Sequence, residues 1–172
     1  MLQRPVSIHC VRAYGDVMDT IKRLHTEKGI DNVPPSIIMH RYYFLPPPKS
    51  SGHEFMLEIS YGGTDMMMTS YRKMKGGVGE RFYFSFSKCI NMRSDKTRDV
   101  IKMVPEVRSC RFWVHSITLN QDRLLLESDH ITPKVCAKQV FSICKIAAES
   151  RGSTIPHIAA ITHENAMRVF SF

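Results

Sequence analysis

Histidine and cysteine are the residues of this chain best suited to bind a metal or act as a nucleophile, but their spacing indicates neither role. No two of the eight histidines form an HxH or HExxH pair, and none lies at ligand spacing from two cysteines. His9 and Cys10 are adjacent, so on a strand their side chains would point to opposite faces. The sequence therefore predicts no metal site and no cofactor.

Motifs for covalent catalysis or phosphate binding are also missing from the sequence. Residues 72–79 form a basic Gly-rich loop, but it lacks the GK[ST] ending of a phosphate-binding loop and lies between two strand-like segments. No GxSxG elbow occurs. The chain is therefore predicted not to be an enzyme. The enzymatic alternative would require a pocket with a perturbed titratable group.

Positive charge is concentrated in one quarter of the chain, residues 71–111. This stretch holds eleven lysines and arginines and four acidic residues, a difference of +7 in a chain of net charge +8. Such a concentration suits an anionic partner, either nucleic acid or an acidic lipid surface, and the alternative is an ordinary solvated face. The residues predicted to bind membrane or RNA are Arg72, Lys73, Lys75, Arg81, Lys88, Arg93, Lys96, Arg98 and Lys102.

Two further segments are candidates for self-association. Residues 46–52 form a Pro-rich loop, whose three prolines favour a stiff, extended conformation suited to docking on a neighbouring molecule. Val78 lies near the tip of the basic Gly-rich loop, where it is suited to insertion into lipid or a neighbour. The alternatives are a stiff surface loop and a plain hairpin. The candidate residues are Pro46, Pro47, Pro48, Lys49 and Val78.

Length and cysteine content bound the class of protein. A chain of 172 residues fits a single globular domain, residues 1–172. The five cysteines are odd in number and contain no CxxC pair, which predicts free thiols in a reducing compartment. No apolar run approaches the length of a membrane-spanning helix, so membrane contact is expected to be peripheral.

The pattern of apolar residues predicts a mixed fold. Strands are predicted over residues 5–12, 36–45, 54–61, 64–71, 81–87, 110–119 and 123–126, with weaker ones over 155–161 and 166–172. Gly62 and Gly63 favour a hairpin turn. Capping residues and helical periodicity predict main helices over 16–28 and 133–151 and a short helix over 94–104. The predicted fold class is α+β, with an antiparallel, meandering sheet of about seven or eight strands, two main helices and one short helix.

This order of elements resembles the matrix proteins of rhabdoviruses, and the short length is most similar to those of plant cytorhabdoviruses. The resemblance rests on a strand running into residues 13–17 (AYGDV) and a helix, and on an apolar stretch that ends in prolines. It continues with an antiparallel hairpin and with a late helix that opens at 134–141 (KVCAKQVF) and closes at 149–152 (ESRG).

The resemblance implies a non-enzymatic structural protein of the virion. Such a protein self-associates beneath the envelope and condenses the viral ribonucleoprotein, or nucleocapsid. During budding and assembly it bridges this nucleocapsid to anionic lipid of the inner leaflet and to the glycoprotein tail. It would be found in the virion, in the host cytoplasm and at the membrane periphery. The chain lacks the family's PPxY motif and lysine-rich N-terminal arm, so no family residue is transferred to it.

The alternative function is a small, basic RNA-binding regulatory protein. It would bind non-specific RNA through the same basic quarter. Its stacking groups would be Tyr42, Tyr43, Phe82 and Trp113.

Overall fold

Residues 4–9, 14–40, 78–92, 97–104 and 122–170 are described by the structure, a computed structural model. The chain divides into a first unit, Met1–Phe82, and a second unit, Tyr83–Phe172. The single domain expected from the length remains a prediction.

The first unit contains two strands joined by a helix. β1 spans Val6–His9, α1 spans Tyr14–Lys28 and β2 spans Ile37–His40. β1 and β2 pair in parallel, and His9 is the register partner of His40. Parallel neighbours need a long crossover, which α1 provides. Gly29, with φ of 81°, ends the helix and leads into a short 3-10 turn at Ile30–Asn32.

The second unit contains two strands and four helices among its described residues. They are β3 (Phe82–Ser87), α2 (Lys88–Asn91), α3 (Thr97–Met103), β4 (Leu124–Glu127), α4 (Pro133–Arg151) and α5 (Ile155–Phe170). β3 and β4 pair in parallel, and Ser87 is the register partner of Glu127. Helices α4 and α5 pack against β4 and against each other, and α2 and α3 pack against α4.

The predicted antiparallel meander is wrong, because the described strands pair in parallel and the fold is α/β. All six residues of β3 are buried, including Ser85 and Ser87. Burial on both faces is typical of a parallel sheet covered by helices. The predicted hairpin at Gly62 and Gly63 and the strand over 110–119 lie outside the described residues.

The three predicted helices are confirmed as α1, α3 and α4, whereas the strands predicted over 155–161 and 166–172 are wrong. Helix α4 begins with Pro133 after Thr132 and ends before Gly152, whose φ is 60°. Residues 155–170 were predicted as two strands but form one helix. Its buried residues follow helical spacing and are Ile158, Thr162, Asn165 and Val169. Two of these four residues are polar, so the apolar residues alone do not show the helical period.

A buried ion pair joins three elements of the second unit. The Nη1 atom of Arg151, at the end of α4, lies 2.6 Å from Oδ2 of Asp122, and the two side chains are 2% and 6% exposed. Arg151 also donates from Nε to the carbonyl of Ile101 (3.2 Å) and from Nη2 to that of Val104 (3.1 Å). These carbonyls lie at the end of α3, where backbone acceptors lack partners within the helix. The arginine therefore fixes the end of α3 and the end of α4 to the segment that enters β4.

Two side chains bond the backbone of Leu124, the first residue of β4. Oδ1 of Asp122 accepts a hydrogen bond from the Leu124 N–H (2.8 Å), and Nδ2 of Asn165 donates to the Leu124 carbonyl (2.9 Å). The Arg123 carbonyl accepts from the N–H of Phe84 in β3 (2.9 Å). Because backbone groups alternate in direction along a strand, those of Leu124 point away from β3. Asn165 thus anchors α5 to the outer edge of β4.

Candidate active site

The carboxyl ends of β3 and β4 bring polar residues from distant parts of the sequence together. Ser87 ends β3, and Glu127 ends β4 beside it. Ser128, Asp129 and His130 follow directly in the connection to α4. In α/β folds, ligands bind beyond the carboxyl ends of the parallel strands. This end of the second unit is therefore its candidate active site.

Asp129 has an unusual backbone conformation. Its φ is 53°, and it is the only non-glycine residue with positive φ in the described part of the chain. The left-handed conformation costs an L-residue about 1 kcal/mol, and aspartate tolerates it better than most. The Oγ atom of Ser128 accepts a hydrogen bond from the His130 N–H (3.2 Å), which stabilises the turn around Asp129. Backbone strain of this kind is concentrated at functional sites in proteins.

The Cys89 thiol connects the ends of the two strands. It lies on α2, immediately after β3, and its Sγ is 3.3 Å from the Ser128 carbonyl, 3.7 Å from Oδ2 of Asp129 and 3.8 Å from Oγ of Ser87. A thiol is a weak donor, so the carbonyl and the carboxylate are its acceptors. Another cysteine, Cys144, lies on the buried face of α4, where burial raises the pKa of its thiol.

Asn91 fixes α2 against the end of β3. Its Oδ1 accepts a hydrogen bond from the Ser87 N–H (2.7 Å), and its own carbonyl accepts one from Oγ1 of Thr97, the first residue of α3. Asn91 and Thr97 are both buried. These buried bonds hold Cys89, and through it Asp129, in one position.

A second pair of strand ends lies in the first unit. His9 ends β1 and His40 ends β2, and the two are register partners on neighbouring parallel strands. Sequence reasoning considered His9 only with the adjacent Cys10. It missed His40, which is 31 positions later in the chain (40 − 9), because the parallel pairing was not predicted.

The structure gives several of the predicted basic residues partners in the protein. Arg81 donates to the carbonyls of Val33 and Pro34. Nη1 of Arg98 is 3.0 Å from Oε2 of Glu149, and Nζ of Lys102 is 3.0 Å from Oδ1 of Asp99. Lys88 is exposed on α2. Arg72, Lys73, Lys75, Arg93 and Lys96 lie outside the described residues.

The self-association candidates gain no support from the structure. Val78 is 1% exposed, so it belongs to the core and not to the exposed loop tip that the sequence predicted. Pro46, Pro47, Pro48 and Lys49 lie outside the described residues.

Two negative findings apply to the described part of the chain. No three histidine, cysteine, aspartate or glutamate side chains within it lie close enough together to hold a metal ion. None of its helices combines the length and the apolar character needed to cross a bilayer.

Comparison with protein families gives a match to the model described as TatD related DNase, over residues 1–171. The chain belongs to the TatD related DNase family. No match was found among curated proteins. The α/β fold with parallel strands is consistent with this family.

Membership of the TatD related DNase family overturns the functional predictions from sequence. The resemblance to rhabdovirus matrix proteins is wrong, and so are the structural role, the RNA-binding alternative and the prediction that the chain is not an enzyme, since the family is one of hydrolases. The nucleocapsid, lipid and glycoprotein partners and the virion location depended on that resemblance and lose their support. The misleading signal was the order of elements, which unrelated folds can share.

Sequence reasoning also missed the polar residues at the ends of β3 and β4. Residues 123–126 were predicted as a strand, and the polar run of Ser128, Asp129 and His130 directly follows the observed strand β4. Polar residues immediately after an apolar strand are the signal that would have indicated the site, once the sheet was known to be parallel.

Proposed function

We propose that this protein hydrolyses phosphodiester bonds in DNA, with Asp129 as a catalytic carboxylate. Its family membership supports hydrolysis, and the description of the family indicates DNA as the substrate. The observation that carries the proposal is the left-handed Asp129 at the carboxyl end of β4, with the Cys89 thiol 3.7 Å from its carboxylate. A carboxylate held in a strained conformation by its neighbours is pre-organised for chemistry.

The reaction requires a water molecule to attack phosphorus while the bond to one ester oxygen breaks. Asp129 acts as the general base that accepts a proton from the water. The leaving oxygen takes a proton from solvent, so the products are one strand end with a phosphate and one with a hydroxyl group. A divalent cation, when bound, would lower the pKa of the attacking water, and Asp129 and Glu127 have the oxygen ligands that such cations prefer.

The test of this proposal is a nuclease assay on the full chain. Substrates are end-labelled single-stranded and duplex DNA, RNA, and the small diester bis(p-nitrophenyl) phosphate, each with magnesium, manganese or zinc and with a chelator. We expect cleavage of DNA and of the small diester. The absence of product from every substrate and every cation would contradict the proposal, and cleavage of RNA alone would contradict the choice of DNA.

The histidines of the first unit provide a separate prediction. His9 and His40 occupy the carboxyl ends of neighbouring parallel strands, and imidazole is both a frequent metal ligand and a frequent acid–base group. Replacing either by alanine is expected to lower cleavage of the small diester by about 100-fold or more. The matched control is His163→Ala, which changes an exposed histidine of α5. If His9→Ala and His40→Ala both cleave the small diester at the rate of the control variant, neither histidine binds a metal or transfers a proton in the reaction.

A further inference from the structure

Helix α4 has two different faces. At about 100° per residue, Lys134, Lys138, Phe141 and Lys145 fall within an arc of roughly 60° along the helix. All four are exposed. The opposite face carries Ile143 and Ala147, both buried. These four exposed residues are called the α4 stripe.

The α4 stripe is positively charged, and one acidic residue of the same helix lies one turn after its last lysine. The single acidic residue of α4 is Glu149, which pairs with Arg98. Within the described residues no salt bridge involves Lys134, Lys138 or Lys145, whereas Lys22 and Lys102 on other helices each pair with an aspartate. The stripe therefore presents three positive charges that the described part of the protein does not neutralise.

An aromatic side chain interrupts this line of charge. Phe141 is 59% exposed and lies between Lys138 and Lys145 along the stripe. This exposure leaves the aromatic ring of Phe141 available for contact with a partner. A partner that covers both parts of the stripe must combine negative charges with flat apolar groups. Single-stranded nucleic acid has this combination, because lysines bind its phosphates and aromatic rings stack on its bases.

The position and length of the α4 stripe fit a strand that extends from the candidate active site. The stripe begins at Lys134, five residues after Asp129 (134 − 129), on the helix that follows β4. From Lys134 to Lys145 it spans about 16 Å, at 1.5 Å per residue. This length corresponds to about five nucleotides of a stacked strand at 3.4 Å each.

We propose that the α4 stripe binds a single-stranded segment of the DNA substrate, with the three lysines on its phosphates and Phe141 stacked on a base. The inference rests on the proposed function, because it takes DNA as the substrate of the neighbouring site. It adds the surface on which the strand lies and a preference for single strands over duplex.

Salt dependence of binding tests the role of the lysines. The probe is a fluorescein-labelled thymidine oligonucleotide with phosphorothioate linkages, which resist cleavage, and its affinity is measured by anisotropy across a salt series. Replacing Lys134, Lys138 and Lys145 by glutamine should reduce the slope of log affinity against log salt by about 2, since each phosphate contact in a single strand contributes about 0.7. Glutamine has a helix propensity similar to that of lysine.

The matched control removes the same charge elsewhere. The variant K22Q/R23Q/K28Q changes three exposed residues of α1, and both triple variants lower the net charge from +8 to +5 (8 − 3). We expect the control to keep the wild-type slope. Equal slopes in the two triple variants would overturn the inference, because binding would then depend only on overall charge.

Phe141 is tested by its own pair of variants. Phe141→Ala should weaken binding of the oligonucleotide about fivefold or more, as expected for loss of one stacked base, and Phe141→Trp should retain it. The control is Phe170→Ala, which removes another exposed phenylalanine, on α5. A larger loss of affinity for duplex than for single-stranded DNA in Phe141→Ala would overturn the choice of single strands.

Cleavage of bis(p-nitrophenyl) phosphate separates this inference from the proposed function. That substrate is too small to reach the α4 stripe, so K134Q/K138Q/K145Q should cleave it at the wild-type rate. Wild-type binding of DNA with no cleavage of any diester would overturn the proposed function and leave the binding surface supported. Wild-type cleavage with unchanged oligonucleotide affinity in the stripe variants would overturn the binding surface alone.

Discussion

Asp129→Asn is expected to reduce cleavage of DNA and of bis(p-nitrophenyl) phosphate by about 10²- to 10⁴-fold, the range for loss of a general base. Asparagine has nearly the same size and also tolerates the left-handed backbone that this position requires. It lacks the negative charge needed to accept a proton. The variant therefore removes the proposed chemistry and keeps the conformation.

Stability measurements show whether the loss of activity is chemical. We expect the free energy of unfolding of Asp129→Asn to stay within about 0.5 kcal/mol of the wild-type value, as for a substitution without a packing change. The matched control is Asp99→Asn, which changes an exposed aspartate of α3 whose partner is Lys102. Wild-type cleavage by Asp129→Asn would exclude the catalytic role. A large loss of stability would instead assign Asp129 to the fold.

Arg151→Met is expected to lower the free energy of unfolding of the second unit by about 3 to 5 kcal/mol. The variant leaves the Asp122 carboxylate buried without its partner, and removal of one member of a buried ion pair typically costs this much. It also removes the hydrogen bonds to the carbonyls of Ile101 and Val104 at the end of α3. Natural domains are stable by about 5 to 15 kcal/mol, so the loss is a large fraction of the total.

Urea denaturation followed by circular dichroism measures this change, and the protein provides a close control. Arg98→Met breaks the ion pair between Arg98 of α3 and Glu149 of α4, whose side chains are 43% and 46% exposed. An exposed pair contributes about 1 kcal/mol or less, because solvent screens it. If the two variants shift the unfolding midpoint equally, the buried pair does not have the stabilising role assigned to it.

Local signals explain why some elements were predicted from sequence. Helix α4 begins at Pro133 and ends before Gly152 because a first-position proline and a left-handed glycine each act on neighbouring residues. Such signals can be recognised in a short window. Signals of the same kind predicted α1. Its apolar residues Met18 and Ile21 lie within one turn and are buried, and Gly29 directly follows its last residue.

The parallel sheet and the candidate site depend on contacts between distant segments. Ser85 and Ser87 look like solvent-facing residues in sequence, yet both are buried in the structure. Cys89 and Asp129 are brought together only because β3 and β4 are neighbours. The positive φ of Asp129 occurs in a turn that the Ser128–His130 hydrogen bond stabilises, and no sequence motif at these residues predicted it. The site could therefore be recognised only after the strand pairing was known.

The two side chains bonded to Leu124 also limit strand pairing between copies of this protein. An exposed strand edge offers free N–H and carbonyl groups on which a strand of another molecule can add, which is a common start of aggregation. At Leu124 the carboxylate of Asp122 and the amide of Asn165 already occupy both groups. Helix α5 therefore blocks intermolecular strand addition at this point of β4, and it does so with a buried polar residue that hydrophobic patterning would never place in a core.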